Sequence, residues 1–354
     1  MTRTRALLVF AALSACRDRA PEVSRPATAI ERPGPGPIAR AADAAQTSAS
    51  CTHCHEDAAR THAASLHARA FTDSAFQAAY RAEPLPFCRD CHAPEREASL
   101  GVSCVTCHAP RGVQDGAVLA APHTPPPRPR TGKTAPHPVI RDARFGTAWA
   151  CAGCHDFAFP AEAARTDGAK MQRTVTEHAR SPFATTPCAG CHMPEAPATR
   201  ARSHGFAASR DLATLRGAVH VTATSTGDGG LDVTISTTGV GHAFPTGDLF
   251  RRLRVSATAL GAGGEALAEA DASLGRHLRF TPNPSGGPPL QTELWDDRVM
   301  PGAPRVVHLS LPRATTTREI RWRVEYQRAR SANGEHVVLE GVEVLAEGTL
   351  TPAP

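Results

Sequence analysis

Residues 88–108 contain two copies of one short motif, Cys88-Arg-Asp-Cys91-His92 and Cys104-Val-Thr-Cys107-His108, separated by eleven residues. The same pattern, Cys-x-x-Cys-His, occurs three more times, at Cys51-Thr-His-Cys54-His55, Cys151-Ala-Gly-Cys154-His155 and Cys188-Ala-Gly-Cys191-His192. Ten of the eleven cysteines therefore belong to five copies of one motif. Any fold of this part of the chain must leave room for the groups that are bound to the five motifs.

The motif is the sequence signature of covalent haem c attachment. Its two thiols can each add to a vinyl group of one porphyrin, and the following imidazole is then placed to bind the iron. A redox-active Cys-x-x-Cys pair does not need a His after every copy, and a zinc site would need two pairs to share one metal. The sequence therefore predicts five covalently bound haem c groups, with the proximal iron ligands His55, His92, His108, His155 and His192.

The charge of the chain argues against a nucleic-acid partner. The formal net charge is +5, and loss of Arg3 and Arg5 with a leader would leave +3. Each ferric haem with two ionised propionates adds about −1. The haem-loaded protein is then expected to be near neutral or mildly acidic.

The N-terminus predicts export. A charged start with Arg3 and Arg5, followed by the apolar run Ala6 to Ala15, is typical of a signal peptide over residues 1–15. Leu13-Ser14-Ala15-Cys16 resembles the lipobox of bacterial lipoproteins, which implies cleavage before Cys16 and lipidation of that cysteine; the alternative is that Cys16 is incidental. Arg17, where an inner-membrane retention signal would have Asp, favours anchoring in the outer membrane on its periplasmic side.

The remaining chain divides into three segments by composition. Residues 16–48 are rich in Pro and Ala and read as the lipidated cysteine with a flexible tether. Residues 49–210 are expected to form a mainly α-helical and irregular cytochrome c domain in which the porphyrins serve as the core. Equal 32-residue spacings separate motifs one and two and motifs four and five, which indicates either a duplicated two-haem unit or a coincidence.

Residues 211–354 have the alternating pattern of β-strands. Apolar residues recur at every second position in runs such as Leu231, Val233 and Ile235, and turn signals separate the runs. About seven such strands predict an antiparallel sandwich of the immunoglobulin-like sort. The glycines at 261, 263 and 264 join strands and do not open a helix, so a dinucleotide site is not expected.

Twelve histidines lie outside the five proximal positions. A second imidazole on an iron keeps it low-spin, which suits electron relay. His67 is a candidate because it falls on a helix predicted within residues 56–82, and His242 because a Gly- and Pro-containing loop presents it, although that imidazole could instead pack the loop. The distal candidates are His67, His123, His137, His204 and His242.

The other histidines are weaker candidates. His178 is held in reserve, His53 lies inside a motif, and His62 is too far around the predicted helix to serve the same iron as His67. Surface positions are expected for His220, His277, His308 and His336.

Two segments carry a family resemblance. Ser65-Leu-His67-Ala-Arg-Ala70 and the Gly-Val-Ser-Cys segment from Gly101 to Pro110 resemble the multihaem c-type cytochromes related to the tetrahaem electron acceptor of hydroxylamine oxidoreductase. That resemblance implies distal roles for His67 and His123. The segments ending at Pro194, Phe206 and Gly247 resemble larger bacterial relatives that end in a β domain, so the chain resembles a pentahaem lipoprotein member.

The expected function is electron relay through mostly bis-His haems, as an exported and membrane-anchored protein. Its partners would be redox proteins or a quinone-linked membrane complex. The alternative is an oxidoreductase in which one open haem binds nitrite or hydroxylamine. Every motif ends in His, unlike the Cys-x-x-Cys-Lys motif of pentahaem nitrite reductases, and only Tyr80 and Tyr326 could cross-link a haem. The carrier is therefore favoured, no catalytic residue is assigned, and the β domain could serve either function as a docking module.

Overall fold

The computed structural model describes residues 29–34, 43–95, 97–111, 113, 116–122, 137–158, 170–196, 201–284, 286, 289–312, 314, 316–333 and 336–353. The predicted signal peptide, Cys16, most of the predicted tether and His123 lie outside these residues. Among the helices that are described, none has both the length and the apolar composition needed to cross a bilayer.

The haem-motif region consists of short helices and three-to-four-residue strands. Four of the motifs form the last turn of a helix that ends at the motif His, and the first motif lies where one helix gives way to the next. The helices are α1 (Ala44–Thr52), α2 (Glu56–Ala63), α3 (Ser74–Ala82), α4 (Phe87–His92), α5 (Cys104–His108), α6 (Trp149–His155), α7 (Thr174–His178) and α8 (Cys188–His192). The strands are β1 (Val118–Ala120), paired in parallel with β2 (Val139–Arg141), and β3 (Asp156–Ala158), antiparallel to β4 (Lys170–Arg173).

The helix predicted from residue 56 ends at Ala63, so the placement of His67 on it was wrong. Residues 64–72 are turns between α2 and α3. Val102 donates its backbone N–H to the His67 carbonyl at 2.9 Å, and Ser65 Oγ accepts from the Ala68 N–H at 3.2 Å. These bonds replace helical ones at this point, and Asp73 then caps α3 by accepting from Ala75 and Phe76.

Strands dominate the C-terminal region. After α9 (Leu212–Gly217) come β5 (Val219–Ser225), β6 (Leu231–Thr237), β7 (Arg252–Leu260), β8 (Ala266–Leu274), β9 (Arg276–Thr281), β10 (Leu290–Asp296), β11 (Arg305–Leu309), β12 (Glu319–Asn333) and β13 (His336–Leu350). One antiparallel sheet has the order β11-β6-β5 and another the order β13-β12-β7-β8, while β9 and β10 form a separate hairpin.

The apolar residues that alternate with polar ones in the sequence form the core of this region. Leu231, Val233 and Ile235 of β6 are fully buried, as are Leu253 and Val255 of β7. They pack in one apolar cluster with residues of the other sheet strands, which include Val307, Ile320, Val324 and Tyr326. Burial of each such side chain contributes roughly 1.5–3 kcal/mol relative to leaving it exposed.

Candidate haem-binding sites

Four motif histidines each face a second histidine from elsewhere in the chain. The ring centres of His55 and His137 are 6.3 Å apart, and those of His155 and His67 are 6.1 Å apart. The other two pairs, His108 with His204 and His192 with His242, are each separated by 6.2 Å. Each pair joins one motif His to one distal candidate.

This separation fits a metal between the two rings. A bond from a metal to an imidazole nitrogen is about 2.0–2.1 Å long, so two imidazoles on opposite sides of one iron have ring centres about 6 Å apart. Directly packed rings can also reach this distance, but four pairs within 0.2 Å of one another, each with one motif His, agree better with axial ligation. The residues present therefore fit haem iron.

Hydrogen bonds orient several of these rings. In a metal-binding His, the nitrogen that does not bind the metal usually donates to a carbonyl or carboxylate, which fixes the tautomer. His108 donates from Nδ1 to the Leu119 carbonyl at 2.9 Å. Distal candidates His204 and His242 donate from Nδ1 to the carbonyls of Arg202 and Ala243, each at 3.0 Å. These bonds leave Nε2 as the atom available for iron.

Three other histidines use Nε2 for protein contacts. His62 donates from Nε2 to the Val102 carbonyl at 2.9 Å. His277 Nε2 lies 2.9 Å from an Asp297 carboxylate oxygen and its ring stacks on Trp295. His308 lies between Asp232 and Asp228. Side-chain bonds of this kind hold local structure, and exposed His308 and His220 lie on the surface as expected.

Burial keeps two of the distal candidates in the form that binds a metal. Burial, reinforced by repulsion from His155, lowers the pKa of His67 to about 3. Burial and the neighbouring His108 lower the pKa of His204 to about 4. Both imidazoles are therefore neutral at pH 7, and a neutral imidazole is the metal-binding form.

The second motif has a different environment. His92 donates from Nδ1 to the Ala70 carbonyl at 2.8 Å, but its ring stacks on Phe76 with the centres 3.9 Å apart, too close for an intervening iron. Within the described part of the chain, no imidazole faces His92 as in the other four pairs. His123, the remaining distal candidate, lies outside the described residues.

Phe206 is a site residue that the sequence did not single out. Its ring meets that of His67 edge-on, with the ring centres 4.3 Å apart, and its centre lies 6.1 Å from that of the His204 ring. Phe206 therefore links two distal candidates. Its φ of 49° is in the left-handed region, which is strained for a side chain of this size. The only sequence signal was its place in Ser-His-Gly-Phe206.

Contacts between motifs indicate how the five sites are arranged. The thiols of Cys51 and Cys104 contact each other, as do those of Cys151 and Cys188. The first motif therefore adjoins the third, and the fourth adjoins the fifth. His67, which faces the fourth motif, is also close enough to His92 and His192 for electrostatic repulsion. Phe206 contacts His67 and lies near His204, which faces the third motif, so these contacts connect all five motifs.

The fold of the chain is that of a multihaem c-type cytochrome. No protein-family model matches the chain, and no curated protein does. The chain is similar to the crystal structure of a penta-heme cytochrome c552 from Thermochromatium tepidum, with a TM-score of 0.61 and 21% sequence identity. The match covers 86% of this chain and 98% of that one, so it includes more than either the haem-motif region or the β region alone.

Proposed function

We propose that the protein is an exported pentahaem c-type cytochrome that relays electrons between redox partners. The observation that carries the proposal is the set of four facing imidazole pairs, each joining a motif His to a distant His. When bound, each haem supplies an iron that changes between the ferric and ferrous states. The paired imidazoles would fill both axial positions and keep the coordination the same in both states.

The exposure of the motifs supports access at two sites. Cys54 of the first motif and Cys191 of the fifth are exposed, whereas the other eight motif cysteines are partly buried. The two exposed motifs belong to different adjoining pairs, the first with the third and the fifth with the fourth. A donor and an acceptor could therefore approach different sites.

Electron exchange with the haem-loaded protein tests this function. The protein reduced with dithionite should be reoxidised by a soluble c-type cytochrome of higher potential, with all five haems oxidised at the end. Failure of the electrons to leave most of the haems would contradict a relay function.

An oxidoreductase activity is the second candidate. It is favoured by His92, which stacks on Phe76 and faces no imidazole among the described residues. An iron held there with an open position could bind nitrite or hydroxylamine. Steady turnover of either compound, together with a high-spin iron whose resonance shifts when nitrite is added, would favour the enzyme; absence of both would favour the carrier.

We also propose that a lipid on Cys16 anchors the protein to the outer membrane, facing the periplasm. Quinone-linked complexes and periplasmic redox proteins are then the available partners. Attachment of more than one acyl chain would give lasting membrane association. The full-length protein should partition into detergent and Cys16→Ser should not; equal partitioning of both would contradict the anchor.

The β region is proposed to be an immunoglobulin-like sandwich. Its two principal sheets have three and four strands, the numbers found in such domains. The β9–β10 hairpin would be an addition to that plan. It lies against the haem-motif region, because Arg276 of β9 donates to the backbone carbonyls of Lys170 and Met171.

A further inference from the structure

One carboxylate of the haem-motif region holds the loop that carries His242. Glu177, in α7, is buried with 5% of its surface exposed. Its Oε2 accepts the backbone N–H of Ala243 at 3.2 Å and the hydroxyl of Thr246 at 2.8 Å. His242 in turn donates from Nδ1 to the Ala243 carbonyl. Ala243 is therefore bonded on one side to Glu177 and on the other to the imidazole.

The second oxygen of Glu177 is held by two arginines. Arg298, 4% exposed, donates to Oε1 at 2.5 Å, and Arg173 does so at 3.3 Å. Arg298 also donates to the Pro245 carbonyl at 2.9 Å. The loop is thus bound directly by Glu177 and through Arg298. Burying two charges is costly unless their geometry is well satisfied, and these bonds satisfy both groups.

Gly241, the residue before His242, packs closely against the same part of the haem-motif region. A Cβ on Gly241 would lie 2.9 Å from His178 Cδ2 and 3.1 Å from Phe183 Cβ. The loop therefore approaches α7 on both sides of His242. Its backbone has little room to rotate the imidazole away from His192.

We propose that Glu177 is a positioning residue that keeps the His242 imidazole facing His192, and so sets the sixth ligand of the fifth haem. This inference rests on the proposed function, because it requires His242 to bind iron. It also gives the β region a role at a haem site: the region presents a ligand, and the haem-motif region holds that ligand in place.

A matched control separates positioning from general stability. Glu293, with its side chain 14% exposed, lies at the same boundary between the two regions and pairs with Arg173 at 3.0 Å and Arg276 at 2.5 Å. Glu293→Gln weakens ion pairs across this boundary, as Glu177→Gln does. Only Glu177→Gln replaces a carboxylate oxygen at the His242 loop by an amide NH2, so a single oxygen is left to accept from both the loop and Arg298.

The experiment uses the full-length haem-loaded protein and its variants Glu177→Gln, Glu293→Gln and His242→Ala. Electron paramagnetic resonance of the oxidised forms measures low-spin and high-spin iron. His242→Ala should convert one haem of five to high-spin, and Glu177→Gln should convert part of that same haem, with added imidazole restoring the low-spin signal. Glu293→Gln should lower the melting temperature and leave the spin states unchanged.

Two outcomes would overturn the inference in distinguishable ways. If His242→Ala changes the spectrum and Glu177→Gln does not, His242 is a ligand but Glu177 does not position it. If His242→Ala leaves every haem low-spin, the proposed ligation of the fifth haem fails, and the positioning role fails with it. Should Glu177→Gln not assemble, Glu177→Asp and Thr246→Val replace it: a partial high-spin signal supports the inference, and wild-type spectra contradict it.

Discussion

At the scale of single residues, hydrogen bonding distinguishes the histidines suited to bind iron. His204 donates from Nδ1 to the Arg202 carbonyl, and its ring faces His108. His62 donates from Nε2 to the Val102 carbonyl. His204 thus keeps Nε2 for iron, whereas His62 has already used it. The two residues therefore form a matched pair for mutation.

His204→Ala should convert the third haem to high-spin and let it bind carbon monoxide when reduced. His62→Ala removes only one backbone hydrogen bond and should leave all spin states unchanged, with a loss of stability of about 0.5–1.5 kcal/mol. Visible and paramagnetic resonance spectra of the two variants check this. High-spin iron in His62→Ala but not in His204→Ala would reverse the assignment.

At the scale of elements, the turn that carries His67 depends on one glycine. Gly101 has a φ of +58°, and a Cβ there would lie 2.5 Å from the His67 carbonyl oxygen and 2.7 Å from that of Ala68. The two segments are bonded as well as close, through the Val102 N–H. Gly101 therefore allows the close approach that brings His67 opposite His155.

Gly101→Ala should displace His67 and produce high-spin iron at the fourth haem. Gly116→Ala is its control, because Gly116 has a similar φ of +65° but a Cβ there would meet no atom of the described residues within 4 Å. Both variants carry left-handed strain of about 1–3 kcal/mol, so both should melt earlier. Identical spin states in the two variants would contradict a role for Gly101 in placing His67.

The extent of sequence-based prediction differs between elements for a physical reason. Haem attachment and proximal ligation follow from five consecutive residues, so the motif was sufficient to predict them. Pairing such as His155 with His67 joins distant segments and depends on tertiary packing, which no local pattern encodes. The helix predicted through His67 failed because contacts with the segment at Gly101 and Val102 replaced its local hydrogen bonds. The strands were read correctly where alternation was strict, as in β6.

At the scale of the whole molecule, buried charges join the β region to the haem-motif region. Arg276 of β9 has a side chain that is 2% exposed; it donates to the Lys170 and Met171 carbonyls at 2.8 and 2.9 Å and pairs with Glu293. Arg321, by contrast, is 65% exposed and pairs with Glu319 on the surface. Loss of Arg276 therefore takes a donor from groups at the boundary between the regions, whereas loss of Arg321 affects only an exposed ion pair.

Arg276→Ala should destabilise the haem-loaded protein by about 1–3 kcal/mol, because the Lys170 and Met171 carbonyls lose this donor and Glu293 loses one of its two arginine partners. Arg321→Ala should cost about 0–1 kcal/mol, since water replaces an exposed pair. Thermal unfolding followed by circular dichroism measures both. Equal losses of stability in the two variants would show that the contact between the regions does not depend on Arg276.

We expect the four facing imidazole pairs to be the axial ligands of four haems. Spin quantitation of the oxidised full-length protein by paramagnetic resonance, with the haem content measured independently, tests it most directly. We expect five haems per chain, of which at least four are low-spin, with the second haem deciding between a carrier and an enzyme. Fewer than four low-spin haems in a fully loaded chain would contradict it.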